Sequence, residues 1–263
     1  LVPLRPRINV KQYTIILLIF LAAVSGYRYG YENILGQMAV AVLLTGITNS
    51  IIEYFRTKML RISDSGLITG LIISMVLAPN SSLLLTGLLS IVAIASKYIL
   101  RLNNRPVFNP AAFGLMIGVI FFKSILGWWG DYYHILTIIA GSILLIKYTG
   151  HWKMIFTFLA TLSILIFVRA LISGSPVIDQ LYLNISISSF FIFFMLTDPK
   201  TSPLLPDQFI NFGILTAVGS FMALIFFPSA LFIGGLLAAD VFVPYLNYRS
   251  LRKLTHNPLE EKF

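Results

Sequence analysis

The sequence predicts an all-α polytopic membrane protein, about ten transmembrane segments arranged as two inverted five-helix repeats with broken helices. Three observations lead there. Hydrophobic residues make up 57% of the 263 positions and charged residues only 11%, whereas a soluble domain carries roughly 25% charge. The apolar residues fall into runs at 13–27, 36–55, 66–78, 83–100, 110–122, 133–149, 153–172, 180–197, 208–226 and 229–246. Two of these runs end in nearly the same punctuation, Met75-Val-Leu-Ala-Pro-Asn-Ser-Ser82 and, 120 positions later, Met195-Leu-Thr-Asp-Pro-Lys-Thr-Ser202.

Proline removes a backbone donor and restricts the residue before it, so a helix tends to stop at each motif. Inside a bilayer the freed polar groups are tolerated only where protein or water satisfies them. A matched pair of interrupted segments in two halves of a chain points to a binding site between inverted repeats. Runs 66–78 and 110–122 are shorter than the ~20 residues a helix needs to cross, and they read as half-helices or tilted segments. A weaker echo lies before the fifth segment of each half, Phe108-Asn-Pro-Ala-Ala-Phe-Gly114 against Phe227-Pro-Ser-Ala-Leu231. Ten segments then divide into repeats at 12–122 and 123–248, between an N-terminal tail at 1–11 and a C-terminal tail at 249–263. The basic prefix lacks the small-residue cleavage site of a signal peptide, and residue 1 is Leu, so the chain reads as trimmed or begun at a non-standard start.

The net charge of +9 is a topology signal rather than a nucleic-acid footprint. With the N-terminus inside and alternating spans, only Arg28, Lys123 and Arg169 of the 19 Lys and Arg residues fall outside. Loop Lys and Arg bias sets orientation, so both termini are expected in the cytoplasm, with the protein integral to the plasma membrane. Arg169, near the outer end of its span, is expected to snorkel to the interface, and the tyrosines, Trp128 and Trp129 suit the interfacial belt.

Three polar stretches interrupt the apolar background. Asn109 before Pro110 reads as a helix N-cap with proline at the first helical position. With Arg105 nearby, the free amides there make either an anion cradle or simply a capped helix beside topology-setting arginines. In Thr197-Asp-Pro-Lys-Thr-Ser-Pro203, Asp198 can accept from a bound heterocycle or pair with Lys200, and the stretch reads equally as a tight cytoplasmic turn. In the third stretch, Asp64 or Ser65 is expected to cap the half-helix that follows. Asp240 is the one carboxylate well inside an apolar run, a candidate for ion handling or for a structural hydrogen bond.

The absence of cysteine removes disulfides, thiolate zinc and cysteine-bound iron-sulfur or haem from consideration. His134, His151 and His256 are too scattered to suggest a histidine-metal site. No nucleotide loop and no Ser/His/Asp arrangement is present.

Ser96-Lys-Tyr-Ile-Leu-Arg101, Phe108-Asn-Pro-Ala-Ala-Phe-Gly114, Thr197-Asp-Pro-Lys-Thr-Ser-Pro203 and Gly235-Leu-Leu-Ala-Ala-Asp-Val-Phe-Val-Pro244 together resemble the RnfD/NqrB family, membrane subunits of Rnf and sodium-pumping NADH:quinone oxidoreductase complexes. The resemblance runs from about Asp64 to Arg249. It implies a urea-transporter-like fold of two inverted five-helix repeats, partner membrane subunits, and flavin-mediated electron transfer coupled to Na⁺ or H⁺. Family members attach FMN to a Thr in a Ser-Gly-Ala-Thr element after the Asn-Pro-Ala-Ala segment. This chain reads Lys123-Ser-Ile-Leu-Gly-Trp-Trp-Gly-Asp131 in that interval, and the Ser173-Gly-Ser-Pro176 loop lacks the acceptor Thr. No covalent FMN is therefore expected. What the resemblance implies instead is flavin, FMN or riboflavin, bound noncovalently. Arg105 and Asn109 would then stand near its phosphate or ribityl groups, and Thr197, Asp198, Thr201 and Ser202 at the second break, with Asp240 serving the coupling ion. A relay between partner subunits' cofactors, a channel or carrier for a small solute or vitamin, and a structural subunit remain open alternatives, because fold does not decide function.

Overall fold

The computed structural model describes residues 10–59, 63–141, 150–174 and 189–256. Long apolar helices make up the frame: α1 (Val10–Tyr29), α2 (Tyr31–Thr57), α7 (Trp152–Ser173), and α8 (Phe209–Phe226) with the short 3-10 turn Pro206–Gln208 leading into it. These four are long and apolar enough to cross a membrane. Counting the pair Pro228–Asp240 and Val243–Arg252, bent by 40°, as one span makes five. The chain is an α-helical membrane-embedded protein, and Ile16, Leu43, Phe156, Ile164 and Ile225 on the frame helices present exposed apolar side chains as lipid-facing residues do.

Shorter helices fill the interior: α3 (Asp64–Val76), α4 (Leu83–Ile99) and α5 (Pro110–Phe122), with α9 (Leu231–Asp240) and α10 (Val243–His256) after α8. Helix α6 (His134–Gly141) opens the run expected at 133–149, whose later part, like 180–188 of the next run and the end of the Ser173-Gly-Ser-Pro176 loop, lies outside the described residues. Helix α2 packs on α3 and α4, α4 on α5, α8 on α7 and α9, and α9 on α5. The last contact joins the two halves of the chain.

Small residues allow these approaches, as they must where lipid supplies no hydrophobic drive for helices to associate. Gln37, Ala41, Thr45 and Asn49, each four residues from the last, form a buried stripe along α2. A Cβ on Gly70 of α3 would lie 2.8 Å from the Ala41 carbonyl, and one on Gly114 of α5 would lie 2.7 Å from the Leu89 carbonyl.

Both proline motifs break their helices. Helix α3 stops at Val76, Leu77 turns extended, and Asn80 takes a left-handed φ of 62°. The freed carbonyls are then satisfied by the segment after α5. Gly127 and Trp128 donate their amides to Val76 O at 2.8 and 3.1 Å. Trp129 Nε1 and Gln37 Nε2 donate to Ser74 O at 2.7 and 2.9 Å. The tryptophans are therefore not in an interfacial belt. Trp129 is fully buried, its indole N–H spent on the end of α3, and Trp128 is nearly so, packed edge-on against Phe190 and Phe232.

Two further expectations are corrected. Helix α3 begins at Asp64, with Ser63 at the N-cap and no side-chain cap bond, so neither Asp64 nor Ser65 caps it. The run 229–246 is not one helix: it opens with a 3-10 turn at Pro228–Ala230 and breaks after Asp240. Pro244 explains the second interruption, since it has no N–H for the Asp240 carbonyl and its ring collides with a carbonyl four residues back. Asp240 thus ends a helix instead of lying within one.

Candidate functional site

The site is assembled at the second break. Residues Ile192–Leu196 form a π-helical turn, a rare feature frequent at functional sites, and all five are buried. Thr197 Oγ1 then donates back to Phe193 O at 2.9 Å. Asp198 organises the turn that follows. Its carbonyl accepts the Thr201 and Ser202 amides at 3.2 and 3.0 Å, and its Oδ1 accepts the Lys200 amide at 3.0 Å. Asp198 therefore hydrogen-bonds Lys200 through the backbone amide.

Arg105 closes the break from outside. The hairpin of β1 (Arg101–Leu102) and β2 (Arg105–Pro106) turns through Asn103 and Asn104, both with left-handed φ of 50° and 63°, the backbone a two-residue hairpin favours. The turn carries Arg105 to the break, where Nη2 donates to Pro199 O at 2.7 Å, Lys200 O at 3.0 Å and Ser202 O at 3.3 Å. The two breaks are thus satisfied differently. Neutral amides and an indole seal the first, and a guanidinium holds the second.

Helix α5 starts as the Asn-Pro pair predicts: Asn109 Oδ1 accepts the Ala112 amide at 3.1 Å with Pro110 in the first turn. The other polar atoms of Asn109 reach two carboxylates. Its backbone amide donates to Asp240 Oδ2 at 2.8 Å and its Nδ2 to Asp198 Oδ2 at 3.4 Å. Asp240 is fully buried, and its Oδ1 has no hydrogen-bond partner among the described residues.

Two cavities that share lining residues meet this cluster. A deep one of about 100 Å³ is walled by Ile68, Ile72, Phe193 and Phe194, with Asn109 and Asp198 on its polar side. A wider vestibule of about 970 Å³ includes Arg105 in its lining. Lys97 and Lys200 line both. Burial lowers the Lys200 ammonium below its ordinary pKa, and the Asp198 carboxylate opposes that shift.

Of the residues singled out from sequence, Arg105, Asn109, Thr197, Asp198 and Asp240 come together. Asp240 reaches the cavity only through Asn109. Thr201 and Ser202 are buried in the turn and line neither cavity. Arg169 is exposed near the end of α7, and His151 is buried edge-on to Phe209. The side chains of His134 and His256 lie outside the described set, and among the described residues no three His, Cys, Asp or Glu converge as metal ligands do.

Sequence reasoning missed the inner end of α2. Asn49 Oδ1 accepts Lys97 Nζ at 2.6 Å and lies 2.9 Å from the Tyr98 hydroxyl, which is 3.1 Å from Glu53 Oε1. The signal was present as a polar or small residue at every fourth position from Gln37 to Glu53. Asp131 was missed as well. It is buried, accepting Ser189 Oγ at 2.6 Å and the Phe190 amide at 3.1 Å. No family model matches the chain, and no curated protein matches it.

Proposed function

We propose that this chain is an RnfD/NqrB-like membrane subunit of an ion-coupled electron-transport complex, built as ten segments in two inverted repeats with both termini on the cytoplasmic side of the plasma membrane. One observation carries the reading. Three motifs that carry the resemblance are joined by hydrogen bonds into one buried polar cluster: Asn109 with Asp198 and Asp240, and Arg105 with the carbonyls of 199, 200 and 202. Motifs of chance similarity have no reason to meet across 131 positions of sequence.

A noncovalent flavin fits the donor set. Arg105 Nη1 is a buried donor with no partner among the described residues, Lys97 and Lys200 line the same vestibule, and the rings of Phe193 and Phe194 wall the apolar end. Arg105 and Asn109 would hold the phosphate or ribityl end, and Thr197 and Asp198 the polar edge of the ring. When bound, the flavin supplies the redox chemistry, while the protein supplies orientation and electrostatics. Asp240 would serve the coupling ion, since its open oxygen sits one residue behind the cavity. Partner membrane subunits would supply and accept the electrons.

The purified protein tests this directly. Flavin released in about one-to-one amount on denaturation supports the reading, and a colourless protein that takes up no added flavin overturns it. Asp198→Asn with unchanged flavin content and turnover would remove that residue from the site.

A second reading, a carrier for a small anionic solute, draws on the cationic vestibule and on the smaller cavity lined by the starts of helices α3 and α5. Solute flux into liposomes by a flavin-free preparation would favour it.

A further inference from the structure

The vestibule is mainly cationic, with the Asp198 carboxylate acting on Lys97, Arg105 and Lys200 from beside it. Its lining includes six cationic side chains, Lys11, Arg56, Lys97, Arg101, Arg105 and Lys200, against the single carboxylate Glu53. Lys97, Arg101 and Arg105 come from one stretch, the end of α4 and the hairpin after it, while Lys11, Arg56 and Lys200 are brought to them from α1, α2 and the 197–203 turn. A charge bias toward one membrane face accounts for the side on which they lie, but not for their convergence on one cavity. Mutual repulsion opposes that convergence: Lys11 and Arg101 both push the Lys200 ammonium toward its neutral form.

Donors are also left over. Lys97 is 9% exposed, and its Nζ has three protons with one hydrogen bond, to Asn49. Arg101 Nε and Arg105 Nη1 are buried without partners among the described residues. Buried donors left unmatched are costly, and an acceptor-rich anion would satisfy several of these at once. Lys97 and Lys200 line both the vestibule and the cavity walled by Ile68, Ile72, Phe193 and Phe194.

We propose that the vestibule binds a phosphate group carried on an apolar body, with Lys97, Arg101, Arg105 and Lys200 on the phosphate and the body directed between Ile72, Phe193 and Phe194. Phosphate offers several acceptors to a guanidinium fork and to ammoniums, the strong class of charge-assisted hydrogen bond. The proposal rests on the functional reading only for naming the body as a flavin. The phosphate itself has two sources, a soluble monoester such as FMN or the headgroup of an anionic lipid.

Calorimetry on the protein in nanodiscs of phosphatidylcholine alone, with FMN, riboflavin, phenyl phosphate and phenol as probes, separates these cases. Native mass spectrometry of protein taken from its own membrane reports any retained anionic lipid. Each phosphate compound should bind at least about tenfold tighter than its dephosphorylated partner, a gap of ~1.4 kcal/mol, and more weakly at higher salt. Lys97→Met removes a buried partner of Asn49 and can unfold the protein, so the diagnostic variants are Arg101→Gln and Lys200→Gln. Each should lose at least about threefold in affinity for the phosphate compounds and nothing for riboflavin. If phenyl phosphate binds as well as FMN, the phosphate site stands and the flavin reading falls. A retained anionic lipid that is lost in Arg101→Gln assigns the phosphate to a headgroup. Equal binding of FMN and riboflavin overturns the proposal, as does no binding of any phosphate compound together with no retained lipid.

Discussion

The backbone amide of Asn109 donates to Asp240 Oδ2 at 2.8 Å, tying the first turn of α5 to the last residue of α9. Both partners are buried, and the bond joins the two halves of the chain at the edge of the deep cavity. Asp240→Ala leaves that amide unpaired in the interior, a cost of about 1–3 kcal/mol, whereas Asp240→Asn keeps an acceptor at the same place. Thermal melting in detergent should therefore drop for Asp240→Ala and change little for Asp240→Asn. If Asp240 serves the coupling ion as proposed, coupled ion transport by the reconstituted complex should be lost in both, because neither has an ionisable group at that place. Equal melting of the two variants would show that the hydrogen bond does not hold the halves together.

Arg105 is expected to be the least replaceable residue of the hairpin. One of its nitrogens, at the far end of the guanidinium, faces three carbonyls of the second break, and the shorter lysine side chain ends before that position. Arg105→Lys should cost about 1.5–3 kcal/mol, the range for hydrogen bonds to charged groups. Hydrogen exchange reads the effect locally: the amides of 200–202 should exchange faster in Arg105→Lys while those of α7 keep their wild-type protection.

The contrast between the two breaks explains how far the sequence could be read. Pro79 and Pro199 announce where helices stop, because proline acts through its own chemistry on its immediate neighbours. Asn109-Pro110 announces a helix start for the same reason. What satisfies each break is supplied from elsewhere in the chain, by Trp129 for Ser74 and by Arg105 for Pro199, and no local pattern encodes it. The interfacial expectation for Trp128 and Trp129 failed on this point, since an indole N–H serves a buried carbonyl as well as it serves a headgroup. Asp240 was legible as an unusual intramembrane carboxylate, but its place at a helix end follows from Pro244, four residues on. Asn49 and Glu53 went unread although their four-residue spacing with Gln37 and Thr45 was visible, because small polar residues at that spacing are also ordinary helix-packing residues.

The α2–α3 seam makes a packing prediction with its own control. A Cβ at Gly70 would stand 2.5 Å from Thr45 Oγ1 and 2.8 Å from the Ala41 carbonyl, while one at Gly36 would meet only Leu83 at 3.7 Å. Backbone on one side leaves Gly70→Ala no room to relax, and overpacking of this kind costs about 1–3 kcal/mol. Gly36→Ala should be neutral or slightly stabilising, since alanine is the better helix former. Melting of both variants in the same detergent checks the pair. A Gly70→Ala protein as stable as wild type would mean that α2 and α3 sit farther apart.

Asp131, in the segment between α5 and α6, carries a pH prediction. Burial raises its carboxyl from 3.8 to about 7, and the hydrogen bonds from Ser189 and the Phe190 amide pull in the opposite direction without prevailing. Below the unfolded value, both folded and unfolded chains hold the proton and the neutral carboxyl favours the fold in full. As pH rises from about 4 to about 7, the unfolded chain gives up its proton before the native one does, so the native state binds more protons across that window. Stability from this group therefore falls as pH rises through the window and levels off above it. Asp131→Asn, neutral at every pH, should remove that part of the slope while keeping an acceptor for Ser189. Melting temperatures measured between pH 4 and pH 8 for both proteins give the test, and parallel curves would mean that Asp131 is charged in the native state throughout.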